Sequence, residues 1–155
     1  MPRAIPRPLA FLVLALGVLL AMPAGALAKP EVNESYFGDV AIDGADPVAY
    51  FTEGKAVIGS PEFSHRWKGA EWRFNNAANR DAFKAAPERY APEFGGYCAW
   101  AVSQGYTAKI DPEAWTIHEG KLYLNYSKGV QDRWAKDIPG NIAKGRRNWP
   151  GVLKD

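Results

Sequence analysis

The only cysteine of this 155-residue chain, Cys98, lies in the sequence FGGYCAW. A cysteine can bind a soft metal ion, attack an electrophile or exchange with a disulfide, and each reaction uses the thiolate. Gly95 and Gly96 permit backbone conformations closed to other residues, and a short helix is predicted from Tyr97 to Gln104. Cys98 is then expected in its first turn, where unpaired amides and the helix dipole favour the thiolate.

An inert role for Cys98 stays open beside the reactive one. The predicted helix begins YCAWAV, which is apolar nearly all round and typical of a buried element. A buried cysteine behaves as a small hydrophobic side chain. The chain has no second cysteine, so a disulfide at Cys98 would need a small thiol or another protein.

His65 is the side chain best placed by the sequence to assist Cys98. The segments FSHRW and AEWRF flank Lys68-Gly69, which predicts a β-hairpin with a two-residue turn. This register puts His65 opposite Trp72 on an aromatic face, where a histidine is more often packed than functional. His118, by contrast, borders the turn of a second predicted hairpin on its polar face. Cys98 and His65 would converge if the predicted helix packs on the aromatic face.

The elements around these residues predict an α+β fold. We expect a small single domain of two antiparallel β-hairpins packed with three to four short helices. The second hairpin is WTIH and KLYL around Glu119-Gly120. Besides the helix at Cys98, helices are expected after Asn75 or Asn76, after Ser127 and from Pro139. The segment Tyr36–Ile42 is predicted as a short strand.

The N-terminus predicts export. Arg3 and Arg7 precede an almost wholly apolar run, Leu9–Met22, and Ala26–Ala28 fits a signal-peptidase site. Residues 1–28 are therefore predicted as a cleaved signal peptide. The apolar run is short for a membrane span. We expect a periplasmic or secreted protein with no membrane anchor after cleavage.

Net charge and composition limit the classes of partner that the protein is expected to bind. Cleavage would remove two of 19 basic residues, leaving 17 against 17 acidic residues. A neutral chain has no broad field to attract nucleic acid or anionic lipid, so nucleic acid is not expected as a partner. Six tryptophans, seven tyrosines and seven phenylalanines supply the core that a chain without an internal disulfide needs.

A set of motifs and single residues stands out along the chain: DPVAYF at 46–51, Trp72, Phe74, Phe83, Pro87, Tyr90, GGYCA at 95–99 and GKLYLN at 120–125. Together these residues resemble the YHS domain family, and in particular its exported single-domain subgroup. The resemblance covers a domain at residues 46–150. An N-terminal segment at 29–45 precedes it and a tail at 151–155 follows.

The resemblance implies different chemistry in two branches of that family. YHS domains fused to heavy-metal transport ATPases carry three cysteines at positions that here read Ala49, Asn75 and Asn79. Their soft-metal site is not carried over, because alanine donates nothing and asparagine is a poor ligand for such ions. In the exported subgroup the distinctive cysteine corresponds to Cys98. Some members have selenocysteine there, which implies redox or metal chemistry.

Three functions follow as expectations. The leading one is a metal-binding module for copper or another transition-metal ion, with Cys98 and His65 as ligands. The second is a thiol redox enzyme in which Cys98 is the catalytic nucleophile, His65 the orienting base and a small thiol the partner. The third is an interaction domain with a buried Cys98. The sequence has no phosphate loop, serine elbow, CxxC or zinc motif for other classes.

Overall fold

The computed structural model describes residue 1 and residues 28–154, so the predicted signal peptide lies almost wholly outside the described residues. Within them, two antiparallel two-stranded sheets combine with six α-helices. This confirms the predicted α+β class. Two of the helices are short additions to the three to four expected. No helix of the described residues is long and apolar enough to cross a membrane.

The first hairpin has the predicted turn. Strands β1 (Ser60–Trp67) and β2 (Ala70–Phe74) are joined by Lys68-Gly69, and both turn residues adopt positive φ, as a tight two-residue connection requires. His65 lies opposite Trp72, which confirms the predicted register near the turn. The register shifts towards the start of β1, where the sheet is irregular.

The second hairpin also has the predicted turn. Strands β3 (Asp111–His118) and β4 (Lys121–Asn125) meet around Glu119-Gly120, again with positive φ at both positions. Both faces of β4 are buried after its first residue. The ring of Tyr123 packs on that of Trp134, with centroids 5.2 Å apart. Strand β4 is therefore covered on both sides after Lys121.

Helices pack over the hairpins. Asn76 accepts a hydrogen bond from an amide of the helix that follows it, and Ser127 does the same, which confirms both predicted caps. The helices are α1 (Ala49–Thr52), α2 (Ala77–Ala85), α3 (Pro87–Tyr90), α4 (Ala99–Ser103), α5 (Lys128–Ala135) and α6 (Ile138–Asn148).

The predicted strand at Tyr36–Ile42 is wrong. Only isolated bridges form there, at Val40 and Ala41, and a 3-10 turn follows at Ile42–Gly44. Gly38 adopts a φ of 91°, which interrupts the extended backbone. The two aromatic side chains before this glycine are exposed, so they do not anchor the segment to the core.

The core forms two clusters. In the first, the Phe83 ring of α2 lies 5.0 Å from Trp72 and 5.2 Å from Phe74. The second contains Tyr123 and Trp134. Helix α4 contributes buried residues to both clusters and so lies between them. The N-terminal segment meets the C-terminal tail, because Lys29 N donates to Leu153 O at 2.8 Å.

A fully buried carboxylate, Asp46, joins the first hairpin to α1 and α2. Its Oδ1 accepts hydrogen bonds from the amides of Val48 at 2.9 Å and Ala49 at 3.2 Å. Its Oδ2 accepts from Asn75 N at 2.8 Å and Asn79 Nδ2 at 2.7 Å. These donors offset the cost of burying a charge. Ala49, Asn75 and Asn79, where the resemblance to the YHS family predicts cysteines in its metal-sensing branch, therefore all contact one carboxylate here.

Replacing this carboxylate should destabilise the fold. We expect Asp46→Asn to lower the free energy of unfolding by about 2–4 kcal/mol, because the new amide turns a donor towards groups that are themselves donors. Urea denaturation of the chain from residue 29 measures the change. Asp43→Asn is the matched control, since Asp43 is exposed and asparagine tolerates its positive φ. Equal stability of the two variants would contradict this role.

Candidate functional site

The glycine pair before Cys98 brings the chain close to the N-terminal segment. Gly95 and Gly96 both have positive φ. A Cβ at Gly95 would overlap the carbonyl oxygen of Glu31, and one at Gly96 would overlap the side chain of Ile42. No other residue fits either position without displacing its neighbours. The two glycines therefore fix the path of the backbone that leads to Cys98.

Cys98 precedes helix α4 instead of lying in its first turn. The helix begins at Ala99, and Cys98 is its N-cap residue, with φ −53° and ψ 115°. Asn125, at the end of β4, supplies the polar cap from across the fold: its Oδ1 accepts from Trp100 N at 3.0 Å. The same oxygen accepts the weak hydrogen bond of Cys98 Sγ at 3.6 Å. Asn125 therefore connects the helix start and the thiol to the second hairpin.

The thiol of Cys98 is buried, with 1% of the residue exposed. Burial raises the pKa of this thiol, and the backbone amides of Ala101, Tyr126 and Trp100 act against burial without overcoming it. This direction is opposite to the one expected for a cysteine in the first turn of a helix. Helix α4 has only five residues, so its dipole is small. At neutral pH the group is a neutral thiol.

Cys98 nevertheless borders a cavity that opens to solvent. Its volume is about 260 Å³. The guanidinium of Arg133 lies over the ring of Trp100, 5.7 Å from its centroid, and Tyr106 and Tyr126 are exposed. We call this cavity the Cys98 pocket. Its lining residues are Cys98, Trp100, Ala101, Tyr106, Ala108, Tyr126, Val130 and Arg133.

His65, the second predicted site residue, has different neighbours. Its ring packs edge-on against Phe83, with centroids 6.4 Å apart. Burial lowers the pKa of His65, and nearby Lys84 lowers it further, so the imidazole is neutral at pH 7. His65 does not line the Cys98 pocket. Among the described residues no hydrogen bond joins His65 to Cys98, whose sulfur faces Asn125.

Asn125 is the site residue that sequence reasoning missed. A polar residue ending a strand pattern gives no indication that it reaches a helix 25 positions earlier. Its Oδ1 must face the Trp100 amide, which leaves its Nδ2 buried without a hydrogen-bond partner. Tyr97, the first residue of the predicted helix, lies outside α4 and donates to Pro30 O at 2.9 Å. It does not line the Cys98 pocket, whereas Trp100 does.

No protein-family model, curated protein or solved structure matches the chain. The resemblance to the YHS domain family therefore stays a prediction from the sequence. Within residues 28–154, no three His, Cys, Asp or Glu side chains are grouped so that they could hold a metal ion. The geometry at Cys98 consists of one neutral thiol, one amide beside it and an aromatic pocket.

The buried thiol should react slowly. In the native protein at about pH 7, we expect iodoacetamide to alkylate Cys98 at least roughly tenfold more slowly than in urea, because burial and the raised pKa both reduce the accessible thiolate. Mass spectrometry follows the single label, and Cys98→Ser confirms its position. The native rate should still increase with pH above the range in which an ordinary cysteine is already fully ionised. Rapid native labelling at neutral pH would contradict this description.

Proposed function

We propose that the chain is an exported, non-catalytic binding module whose ligand site is the Cys98 pocket. One observation carries this proposal: the only thiol of the chain, kept neutral by burial, borders an apolar cavity that opens between exposed aromatic side chains. A neutral thiol is a weak hydrogen-bond donor and a good apolar contact. Cys98 therefore contacts the ligand without reacting with it.

The lining of the Cys98 pocket favours a small aromatic acid. Trp100, Tyr106 and Tyr126 offer rings against which a planar ligand can stack. Arg133 is the charged side chain that lines the pocket within the described residues, and its guanidinium suits a carboxylate. The cavity is slightly smaller than the usual range for drug-sized ligands, which favours a small molecule.

The redox alternative has less support. A nucleophilic cysteine needs a lowered pKa or an adjacent base, whereas burial raises the pKa of Cys98. The side chain beside its sulfur is an amide, Asn125, which cannot take up a proton at neutral pH. His65 packs on Phe83 instead.

A copper-like ion is the second candidate ligand, and one observation favours it. The amides of Trp100, Ala101 and Tyr126 act on the sulfur so as to stabilise a thiolate, and a soft ion that displaces the proton would benefit from them. The surroundings of Cys98 offer one sulfur and a hard amide oxygen, which is a poor set for such an ion. The ion would therefore need an external ligand, such as a small thiol.

Indole-3-acetate is a suitable probe for the leading proposal. We expect saturable shifts of the Trp100 indole and the Tyr126 amide in ¹H–¹⁵N spectra, with a dissociation constant on the order of 1 mM or lower. Val130→Trp should abolish binding by filling the pocket. Tyr36→Ala, which removes an exposed tyrosine outside the pocket, should not change it. Absence of saturation, or equal binding by the Val130 variant, would refute the proposal.

Competition between the protein and a Cu(I) chelator distinguishes a copper-like ion from the small aromatic acid as the ligand of the Cys98 pocket. If the organic ligand is the correct one, the protein and Cys98→Ala should bind Cu(I) equally weakly, with a small thiol present or absent. Cu(I) affinity that needs both Cys98 and the small thiol would assign the pocket to the soft ion.

A further inference from the structure

A second cavity, of about 290 Å³, lies between the turn of the second hairpin and helix α6. It shares no lining residue with the Cys98 pocket. We call it the α6 cavity. Its lining residues are His118, Glu119, Lys121, Tyr123, Pro139, Ile142, Ala143 and Arg146.

The hairpin and the helix bring the polar side chains of the α6 cavity together. His118 and Lys121 are directly paired across the turn, so their side chains lie on the same face of the sheet. Tyr123, two residues further along β4, shares that face. On α6, Ile142 and Arg146 are one turn apart and also lie on one face. His118, which the sequence placed on the polar face of the hairpin, is half-buried at this cavity.

Two cations, Lys121 and Arg146, line the α6 cavity together with one imidazole, His118, and one carboxylate, Glu119. Lys121 Nζ also lies 3.7 Å from a carboxylate oxygen of Glu93. Within the described residues, neither Arg146 nor His118 has an ion-pair partner. The guanidinium of Arg146 is therefore the cation of this cavity that an added anion can pair with.

The hydroxyl of Tyr123 adds a neutral hydrogen-bond donor to the charged groups of the α6 cavity. Burial raises the pKa of Tyr123, and Arg146 acts in the opposite direction without reversing the shift. The phenol is therefore protonated at neutral pH and can donate a hydrogen bond. Pro139, Ile142 and Ala143 supply the apolar part of the cavity lining.

We propose that the α6 cavity binds a small oxyanion of the phosphate class. Arg146 offers a planar pair of donors that suits a phosphate, Lys121 adds a point charge and the Tyr123 hydroxyl adds a neutral donor. Free phosphate and a phosphate monoester present the same chemistry to these groups. The site does not include Cys98, so its test is independent of the proposal for the Cys98 pocket.

Titration with inorganic phosphate at about pH 7, with ionic strength held constant by sodium chloride, tests this site. We expect saturable ¹H–¹⁵N shifts at Gly120, Lys121 and Arg146. Arg146→Gln should weaken binding about tenfold, because it removes a charge-assisted donor. Arg147→Gln is the matched control: Arg147 is exposed on the same helix and does not line the cavity. Lys121→Gln is a second variant on another element and should also weaken binding.

Three results would overturn the proposal: no saturation with phosphate, equal weakening by the Arg146 and Arg147 variants, or equal affinity for acetate. Methyl phosphate identifies the source of the anion. Binding as tight as that of inorganic phosphate would assign the site to phosphate monoesters, and weaker binding would assign it to the free anion. Either of these two outcomes supports the phosphate class.

Discussion

The hydrogen bond from the Trp100 amide to Asn125 Oδ1 determines where the sulfur of Cys98 lies. A helix start needs an acceptor for its free amides, and a residue at the N-cap usually supplies it from its own side chain. Here the acceptor comes from β4, so Cys98 occupies the N-cap position without capping the helix. Its sulfur can therefore lie at the boundary between the core and the Cys98 pocket. The candidate site depends on this one contact between two distant segments.

Two opposing influences act on that sulfur. Removal from water disfavours the thiolate, while amides near the start of α4 favour it, and burial is the stronger of the two. Cys98 is therefore a protonated thiol of low reactivity that lies beside an open cavity. This combination suits a contact residue of a binding site better than a nucleophile. It also explains why a soft ion could use Cys98 only by displacing a proton that the fold retains.

The sequence predicted the parts of the fold that depend on local rules. The turns at Lys68-Gly69 and Glu119-Gly120 need particular backbone conformations, and the alternation around them predicted the registers near both turns. Asn125 could not be predicted in the same way, because its partner Trp100 is brought near only by tertiary packing. The sequence left the state of Cys98 open, because the helix dipole favoured a thiolate and the apolar helix pattern favoured burial. The structure shows that burial is the stronger influence.

The ¹³Cβ resonance of Cys98 reports on both the protonation state of the thiol and its contact with a ligand, because a chain with one cysteine gives one such signal. The signal should keep the position of a protonated thiol through neutral pH, begin to titrate only above the ordinary cysteine range, and shift when indole-3-acetate is added. A signal already at the thiolate position at neutral pH, or one that the added ligand leaves unchanged, would contradict a neutral thiol that forms the wall of a binding pocket.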